Sequence, residues 1–185
     1  MRLIAGRFRG RVLAAPEGMT TRPTADRVRE SLFNILAHGE PQLRGAHVAD
    51  IFAGSGALGL EALSRGAAKV TFFEKDPAPL SVIAANIKKL GCDKESELLR
   101  ADACNPPAAK QPCDILLLDA PYRSGLANLA LPALQAQGWI APGARIVIEV
   151  AASEPCKSPL PGCEITDERK YGAARLVFLA VQQAP

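Results

Sequence analysis

The chain has 185 residues, of which 48% are hydrophobic and 22% are charged, and its net charge is +3. This length supports one core of ordinary size, and the longest apolar runs fall far below the roughly 18 residues that a membrane span requires. We therefore expect one main domain in a cytoplasmic protein, with no membrane helix and no secretory signal.

The cysteines and the charged residues narrow the class of protein further. The five cysteines form no Cys-x-x-Cys pair and lie far in sequence from both histidines. This spacing predicts reduced thiols and no metal site. The net charge is mild, but seven arginines face only three acidic residues within the first thirty positions. The N-terminal end is therefore the candidate surface for nucleic acid.

The first 44 residues are predicted to form a basic extension ahead of a core at residues 45–185. Two short β-rich segments, Arg2–Ala5 and Arg11–Ala14, flank a turn and predict an N-terminal hairpin. After a loop, Thr24 is a candidate cap for a helix that runs to about Ala37, with apolar residues at helical spacing.

From residue 47 onward, apolar β-rich runs alternate with helical patterns. The predicted strands cover residues 47–53, 69–74, 97–101, 114–119 and 144–150, and the predicted helices cover 58–65, 80–90 and 126–137. This alternation predicts a doubly wound α/β fold with a parallel sheet covered on both faces. Residues 164–170 and 175–181 lack an intervening helix, so they predict a C-terminal hairpin that adds an antiparallel edge.

A glycine turn follows the first predicted strand of the core. Gly54, Gly56 and Gly59 form a Gly-x-Gly-x-x-Gly pattern that opens a helix, where glycines let the backbone approach a ligand. Glu74 ends the second strand, where a carboxylate can accept both ribose hydroxyls of an adenosine. Together the two features predict a nucleoside cofactor, although either one alone also occurs for structural reasons.

The same pattern fits a dinucleotide-dependent dehydrogenase, and Asp50 favours a different cofactor. A carboxylate just before the glycine turn would repel a pyrophosphate, whereas it attracts the ammonium group of S-adenosylmethionine. Asp102 would accept a hydrogen bond from the adenine amino group, or else it simply occupies a strand-end turn. The predicted cofactor-binding residues are Asp50, Phe52, Ala53, Gly54, Ser55, Gly56, Glu74, Lys75, Asp102 and Ala103.

A second motif, Asp119-Ala120-Pro121-Tyr122, directly follows an apolar strand and is predicted to be catalytic. An amino group on a nucleobase is a poor nucleophile because its lone pair is delocalised into the ring. Acceptors at the Asp119 side chain and the Ala120 carbonyl would aim such a nitrogen at a methyl donor, and Asp119 is also a candidate to take the released proton. Tyr122 would stack on the base. In the alternative interpretation, Pro121 merely ends the strand.

These motifs resemble the class I methyltransferases, whose amino-group members carry a D/N-P-P-Y tetrapeptide. RLIAGRFRG (Arg2–Gly10), RPTADRVRESLFN (Arg22–Asn34) and FAGSGALGLEALSRG (Phe52–Gly66) look more specifically like the bacterial 16S ribosomal RNA guanine-N2 methyltransferase family called RsmD. The likeness runs along nearly the whole chain. Ala120 departs from the family pattern, which has proline there.

The resemblance implies a seven-stranded Rossmann-like sheet and methylation of the N2 amino group of one guanine in 16S ribosomal RNA. It implies S-adenosylhomocysteine as the product, an assembling or assembled 30S particle as the substrate, and a monomeric protein. The N-terminal extension would contact RNA, and the predicted phosphate-binding residues are Arg7, Arg9, Arg11, Arg22 and Arg27.

Three alternatives stay open at this stage. A DNA adenine-N6 methyltransferase would use the same tetrapeptide, because its geometry suits any amino group on a base. A catalytically silent RNA-binding module is the second, with Ala120 marking the decay of the site. In the third, the N-terminal arginines form only a solvated surface.

Overall fold

The computed structural model describes residues 1–16 and 23–183. A single turn of 3₁₀ helix at Asp93–Glu95 precedes the third strand. The helices and strands follow in chain order as α1 (Pro23–Leu36), β1 (His47–Ile51), α2 (Ala57–Ser64), β2 (Lys69–Glu74), α3 (Pro77–Leu90), β3 (Ser96–Arg100), β4 (Cys113–Leu118), α4 (Leu126–Ala136), β5 (Ile140–Ala151), β6 (Cys163–Tyr171) and β7 (Ala174–Val181). No helix within the described ranges is long and apolar enough to cross a membrane.

The strands form one seven-stranded sheet in the order β3-β2-β1-β4-β5-β7-β6. The first five strands of this order are parallel, and β7 runs antiparallel to both β5 and β6. This confirms the predicted α/β class, with its parallel sheet and antiparallel C-terminal strands. The chain order reverses beside β1, which lies between β2 and β4. Open α/β sheets bind their ligands at such a switch point, outside the carboxyl ends of the strands.

Several element ends differ from the sequence prediction for local reasons. β1 ends at Ile51 because Phe52 adopts a positive φ of 63°, which turns the chain out of the strand. α3 begins at Pro77, three residues before the apolar periodicity starts, because proline is favoured in the first turn of a helix. β5 begins at Ile140, where the chain already pairs with Cys113 ahead of a register shift.

The predicted N-terminal hairpin is reduced to one antiparallel bridge between Arg2 and Val12. Its direction agrees with the prediction, but its strands are shorter. Pairing ends after Leu3 because the Ala5 amide, on the side of the partner strand, donates instead to the Glu61 carboxylate of α2 at 3.1 Å. The Ile4 amide donates to the same carboxylate at 2.8 Å.

The residues ahead of β1 share the hydrophobic core with the sheet. Leu3, Leu13, Phe33 and Leu36 are buried in the same cluster as Leu60 of α2. Seven of the eight residues of α2 are buried, because the helix is enclosed between the sheet and the N-terminal segment. A helix that is apolar over most of its surface requires such cover. A second cluster fills the opposite face of the sheet.

Glu61 is the polar contact at the centre of this packing. Its side chain has no exposed surface, and its carboxylate accepts from Arg65 Nε at 2.7 Å as well as from the two N-terminal amides. A buried carboxylate is tolerated when donors surround it. Glu61 therefore holds the N-terminal segment against α2.

We expect Glu61→Gln to lower the free energy of unfolding by about 3 kcal/mol, the scale of breaking a buried ion pair. The amide –NH₂ would face main-chain donors, and Arg65 would lose its anionic partner. The matched control is Glu95→Gln, which removes an exposed ion pair to Arg7 and should cost no more than about 1 kcal/mol. Urea unfolding and hydrogen exchange at the Ile4 and Ala5 amides measure both. Equal effects of the two substitutions would contradict this role.

Candidate functional site

Two cavities lie side by side at the carboxyl edge of the sheet. The larger cavity has a volume of about 580 Å³, within the range of small-molecule sites, and the smaller one has about 170 Å³. They share Phe52, Gly54 and Asp119 as a common wall. The predicted residues that line the larger cavity are Phe52, Gly54, Glu74, Lys75, Asp102, Ala103, Asp119, Ala120, Pro121 and Tyr122.

The remaining predicted cofactor residues lie around the glycine turn. Asp50, Ala53 and Ser55 line the smaller cavity. Gly56 lines neither cavity, and it caps α2 with a left-handed backbone at φ 76°. A Cβ at Gly59 would lie 2.3 Å from the Phe72 ring, so this glycine lets α2 pack closely on β2. The motif thus serves both the site and the helix–sheet contact.

Asp50 holds the helix that follows the turn. Its side chain is buried, and Oδ2 accepts from the Gly59 amide at 2.8 Å. Burial raises the pKa of this carboxyl well above its ordinary value, and the hydrogen bond from Gly59 opposes that rise. The sequence predicted an attraction to the cofactor ammonium. The structure adds a hydrogen bond that fixes the first turn of α2.

Glu74 closes the turn from the side of β2. Its Oε2 accepts from the Gly54 amide at 3.0 Å, and its Oε1 accepts from the amides of Lys75 and Asp76 at 2.8 and 2.9 Å. These three bonds fix the carboxylate at the wall of the larger cavity. The Oδ1 of Asp102 accepts from the Cys104 amide at 2.9 Å in a strand-end turn, yet Asp102 also lines the larger cavity.

Asp119 follows β4 and forms an acidic pair with Glu149 near the end of β5. The exposed surface of Asp119 faces the cavities, while protein surrounds its carboxyl group on the other sides. This burial, followed by the negative charge of Glu149, raises the pKa of Asp119 to about 7. Burial also raises the pKa of Glu149, and the hydrogen bond from Tyr122 opposes that rise. Both pKa values are raised because the pair lies in a partly enclosed site, where negative charge is unfavourable.

Glu149 is a site residue that the sequence prediction missed. It accepts a hydrogen bond from the Tyr122 hydroxyl at 2.7 Å and lines the smaller cavity beside Asp119. A signal was present, because Glu149 is the one acidic residue in the apolar run Ile146–Val150, close to the carboxyl end of a strand. Parallel strands bring such residues to the same sheet edge.

The turn after the tetrapeptide is held by a carboxylate. Arg123 adopts a positive φ of 58°, and its amide donates to Glu154 Oε2 at 2.9 Å. The same oxygen accepts from the Ala151 amide at 3.4 Å, which joins the turn to the end of β5. Ala120 itself is buried. The contacts of Glu154 thus fix the loop in which Ala120 stands in place of the first proline of the family pattern.

The predicted phosphate-binding arginines differ in their surroundings. Arg9, Arg11 and Arg27 are exposed. Arg7 forms an ion pair with Glu95 at 2.8 Å, and its guanidinium lies over the Phe8 ring. Arg22 lies outside the described residues.

The fold and the site together define the class of protein. The larger cavity is mainly apolar and lies between the glycine turn after β1, the end of β2 and the tetrapeptide after β4. The Glu74 carboxylate is held at its wall by hydrogen bonds. These groups fit an adenosine, with apolar walls for the ring and Glu74 for the ribose. The protein is a class I methyltransferase that uses S-adenosylmethionine as its methyl donor.

The family model described as conserved hypothetical protein 95 matches residues 1–180. The chain belongs to this family, the RsmD family of methyltransferases. It is 38% identical over 163 residues to the ribosomal RNA small subunit methyltransferase D of Haemophilus influenzae, covering 86% of this chain and 83% of the relative. Its identity to the protein of that name from Escherichia coli K12 is 42% over 150 residues, with 80% and 74% covered.

Solved structures agree along the full length. The Escherichia coli protein yhhF superposes with a TM-score of 0.83 at 34% identity, covering 100% of this chain and 99% of that one. A Haemophilus influenzae methylase structure superposes with a TM-score of 0.80 at 33% identity, with 98% of each chain covered. The likeness therefore includes the N-terminal segment as well as the sheet.

We expect Asp119 to titrate near pH 7 in the ligand-free protein and Glu149→Gln to lower its pKa, because a negative neighbour is removed. Carboxyl ¹³C NMR measures this shift. Glu164→Gln, an exposed change on β6, is the control and should leave it in place. An Asp119 pKa that does not respond to Glu149→Gln would contradict the coupling.

The raised pKa of Asp119 also makes the free energy of unfolding depend on pH. Because the folded pKa exceeds the ordinary value of 3.8, the folded protein binds the additional proton. The stabilising contribution of Asp119 is therefore complete below about pH 4 and is lost as the pH rises through about 7. Asp119→Asn should remove that part of the pH dependence of unfolding.

Proposed function

We propose that this protein methylates the exocyclic N2 amino group of a guanine in the 16S RNA of the small ribosomal subunit. The observation that carries the proposal is the set of candidate acceptors around the shared wall of the two cavities: Asp119 lines both, Ala120 lines the larger and Glu149 lines the smaller. The names of the relatives, ribosomal RNA small subunit methyltransferase D, support an RNA substrate.

S-adenosylmethionine, when bound, supplies an electrophilic methyl group and leaves as S-adenosylhomocysteine. Asp119 stands in the wall between the two cavities, where its carboxylate can hold a base nitrogen beside the cofactor. The Ala120 carbonyl can take a second hydrogen from the same nitrogen, since Pro121 favours an extended backbone at Ala120. Two acceptors on one amino group orient its lone pair and favour the positive charge that develops on nitrogen.

The acidic pair of Asp119 and Glu149 can accept the proton that methyl transfer releases. The nitrogen gains a bond to carbon and loses one of its hydrogens as a proton. An acceptor with a pKa near 7 is close to the best compromise between being deprotonated and binding that proton at neutral pH. Asp119 has such a pKa and is the candidate base of this proposal.

Glu149 favours guanine over adenine. The Watson–Crick edge of guanine presents N1–H beside its N2 amino group, so adjacent carboxylates meet adjacent donors. Adenine presents the N1 lone pair beside its amino group, and a carboxylate there would repel it. Tyr122, with 45% of its surface exposed and its hydroxyl fixed by Glu149, can stack on the base. This arrangement favours the guanine enzyme over the adenine enzyme.

The N-terminal segment, residues 1–44, is proposed to contact the RNA. Met1 lines the same cavity as Asp119 and Glu149, so this segment lies beside the acceptors proposed for the base. Arg9, Arg11 and Arg27 are exposed and carry the positive charge that phosphates require. We further propose a monomer that acts in the cytoplasm on an assembling or assembled 30S particle.

The test is tritiated methyl transfer from S-adenosylmethionine to 30S particles that lack the modification, followed by nucleoside analysis. Label in N2-methylguanosine is expected. Asp119→Ala should reduce the rate by about 100-fold or more, because an acceptor on the reacting nitrogen is lost, while cofactor affinity stays largely intact. Label in N6-methyladenine, with duplex DNA as the better substrate, would favour the adenine enzyme. Tight RNA binding without any transfer would favour the silent RNA-binding module.

For the RNA surface, we expect Arg9→Ala with Arg11→Ala to weaken RNA binding and to reduce the slope of log K against log salt by about 0.7–0.9 per arginine. The matched control is Lys157→Ala, an exposed basic residue in the loop before β6. Fluorescence anisotropy across a salt series measures both. An unchanged slope in the double variant would support the solvated-surface alternative.

A further inference from the structure

The smaller cavity contains charges of both signs. Asp50, Asp119 and Glu149 contribute carboxyl groups, and Arg29 of α1 is the one basic side chain among its described lining residues. Its wall also includes the glycine turn at residues 53–55, and it continues into the larger cavity across the shared residues. A ligand that occupies both cavities would therefore meet an arginine and carboxyl groups at one of its ends.

The burial of the Arg29 guanidinium beside the smaller cavity is energetically unfavourable. The residue is 5% exposed, and its Nη2 donates to the Arg2 carbonyl at 2.7 Å and to Asp26 Oδ1 at 3.0 Å. Its Nε is buried and has no hydrogen-bond partner among the described residues. A buried N–H without a partner is unfavourable, and a buried guanidinium beside a cavity is suited to a carboxylate ligand. The mechanism proposed above does not use Arg29.

The chemistry of the cofactor matches this arrangement. The adenosine fits the larger cavity, whose wall carries Glu74 and Asp102, so the amino-acid end must extend past the shared wall at Phe52 and Gly54. That end is a zwitterion, with an ammonium and a carboxylate on one carbon. Asp50 is the matching group for the ammonium, and Arg29 is the matching group for the carboxylate.

We propose that Arg29 binds the α-carboxylate of S-adenosylmethionine and thereby anchors the amino-acid end of the cofactor in the smaller cavity. This role makes α1 part of the cofactor site. Arg29 also holds the Arg2 carbonyl, so the same guanidinium links the cofactor to the N-terminal segment. The assignment concerns the cofactor alone and is independent of which base or RNA is methylated.

The experiment compares two ligands that differ only in this carboxylate. Isothermal titration calorimetry of the RNA-free protein measures the Kd of S-adenosylmethionine and of decarboxylated S-adenosylmethionine. The wild type should prefer the intact cofactor by on the order of ten- to a hundredfold, the value of a charge-assisted hydrogen bond. Arg29→Gln should weaken the intact cofactor by the same factor and leave the decarboxylated ligand nearly unchanged. Equal affinity of the wild type for both ligands would overturn the proposal.

Matched variants separate binding from folding. Asp26→Asn weakens the ion pair of Arg29 without removing the guanidinium, so it should retain the preference for the intact cofactor. If Arg29→Gln does not fold in a thermal melt, Arg29→Lys decides, because an ammonium lacks the planar fork and should reduce the preference several-fold. A purely structural arginine predicts that Arg29 variants weaken both ligands equally. That result, in which the Arg29 variants keep the full wild-type preference for the intact cofactor, would refute the assignment.

Discussion

Two carboxylates that bind main-chain amides hold the glycine turn in place, and the site depends on them. Asp50 reaches forward from β1 to the amide of Gly59, and Glu74 reaches across from β2 to the amide of Gly54. Their strands are paired, so the turn has a fixed position relative to the sheet. Both cavities use this turn as a wall. Asp50 and Glu74, which the sequence analysis predicts to bind the cofactor, thus also hold the backbone of the turn that lines both cavities.

The acidic pair of Asp119 and Glu149 is assembled from two different strands and from the loop that follows β4. Asp119 directly follows β4, Glu149 lies in β5, and the Tyr122 hydroxyl donates a hydrogen bond to Glu149. Glu154 holds the turn after Pro121 through the amide of Arg123. Contacts outside the tetrapeptide therefore hold the loop in which Ala120 replaces a proline, and the acceptor role of Asp119 and Ala120 stays a proposal.

In the N-terminal segment, the arginine-rich composition predicts an exposed basic surface, but it does not predict which residues pack into the core. Its arginine-rich composition indicated a nucleic-acid surface, and Arg9 and Arg11 are indeed exposed. Composition gave no sign that Leu3 and Leu13 complete the main core, or that Glu61 binds the backbone of Ile4. Arg29 belongs to the same run of arginines, yet it is buried against a cavity. The RNA contact itself stays a prediction.

Local patterns in the sequence determined the α/β class, the parallel strands, the antiparallel C-terminal pair and the motif residues, because periodicity, glycine turns and strand-end carboxylates are short-range features. Tertiary structure alone decided that Glu149 joins Asp119, that Arg29 lines a cavity and that Arg7 pairs with Glu95. The two side-chain pairs join residues 30 and 88 positions apart, and Arg29 shares its cavity with a residue 120 positions away. Their geometry follows from strand order and helix packing, and no periodicity along the chain encodes the distance between side chains on different elements.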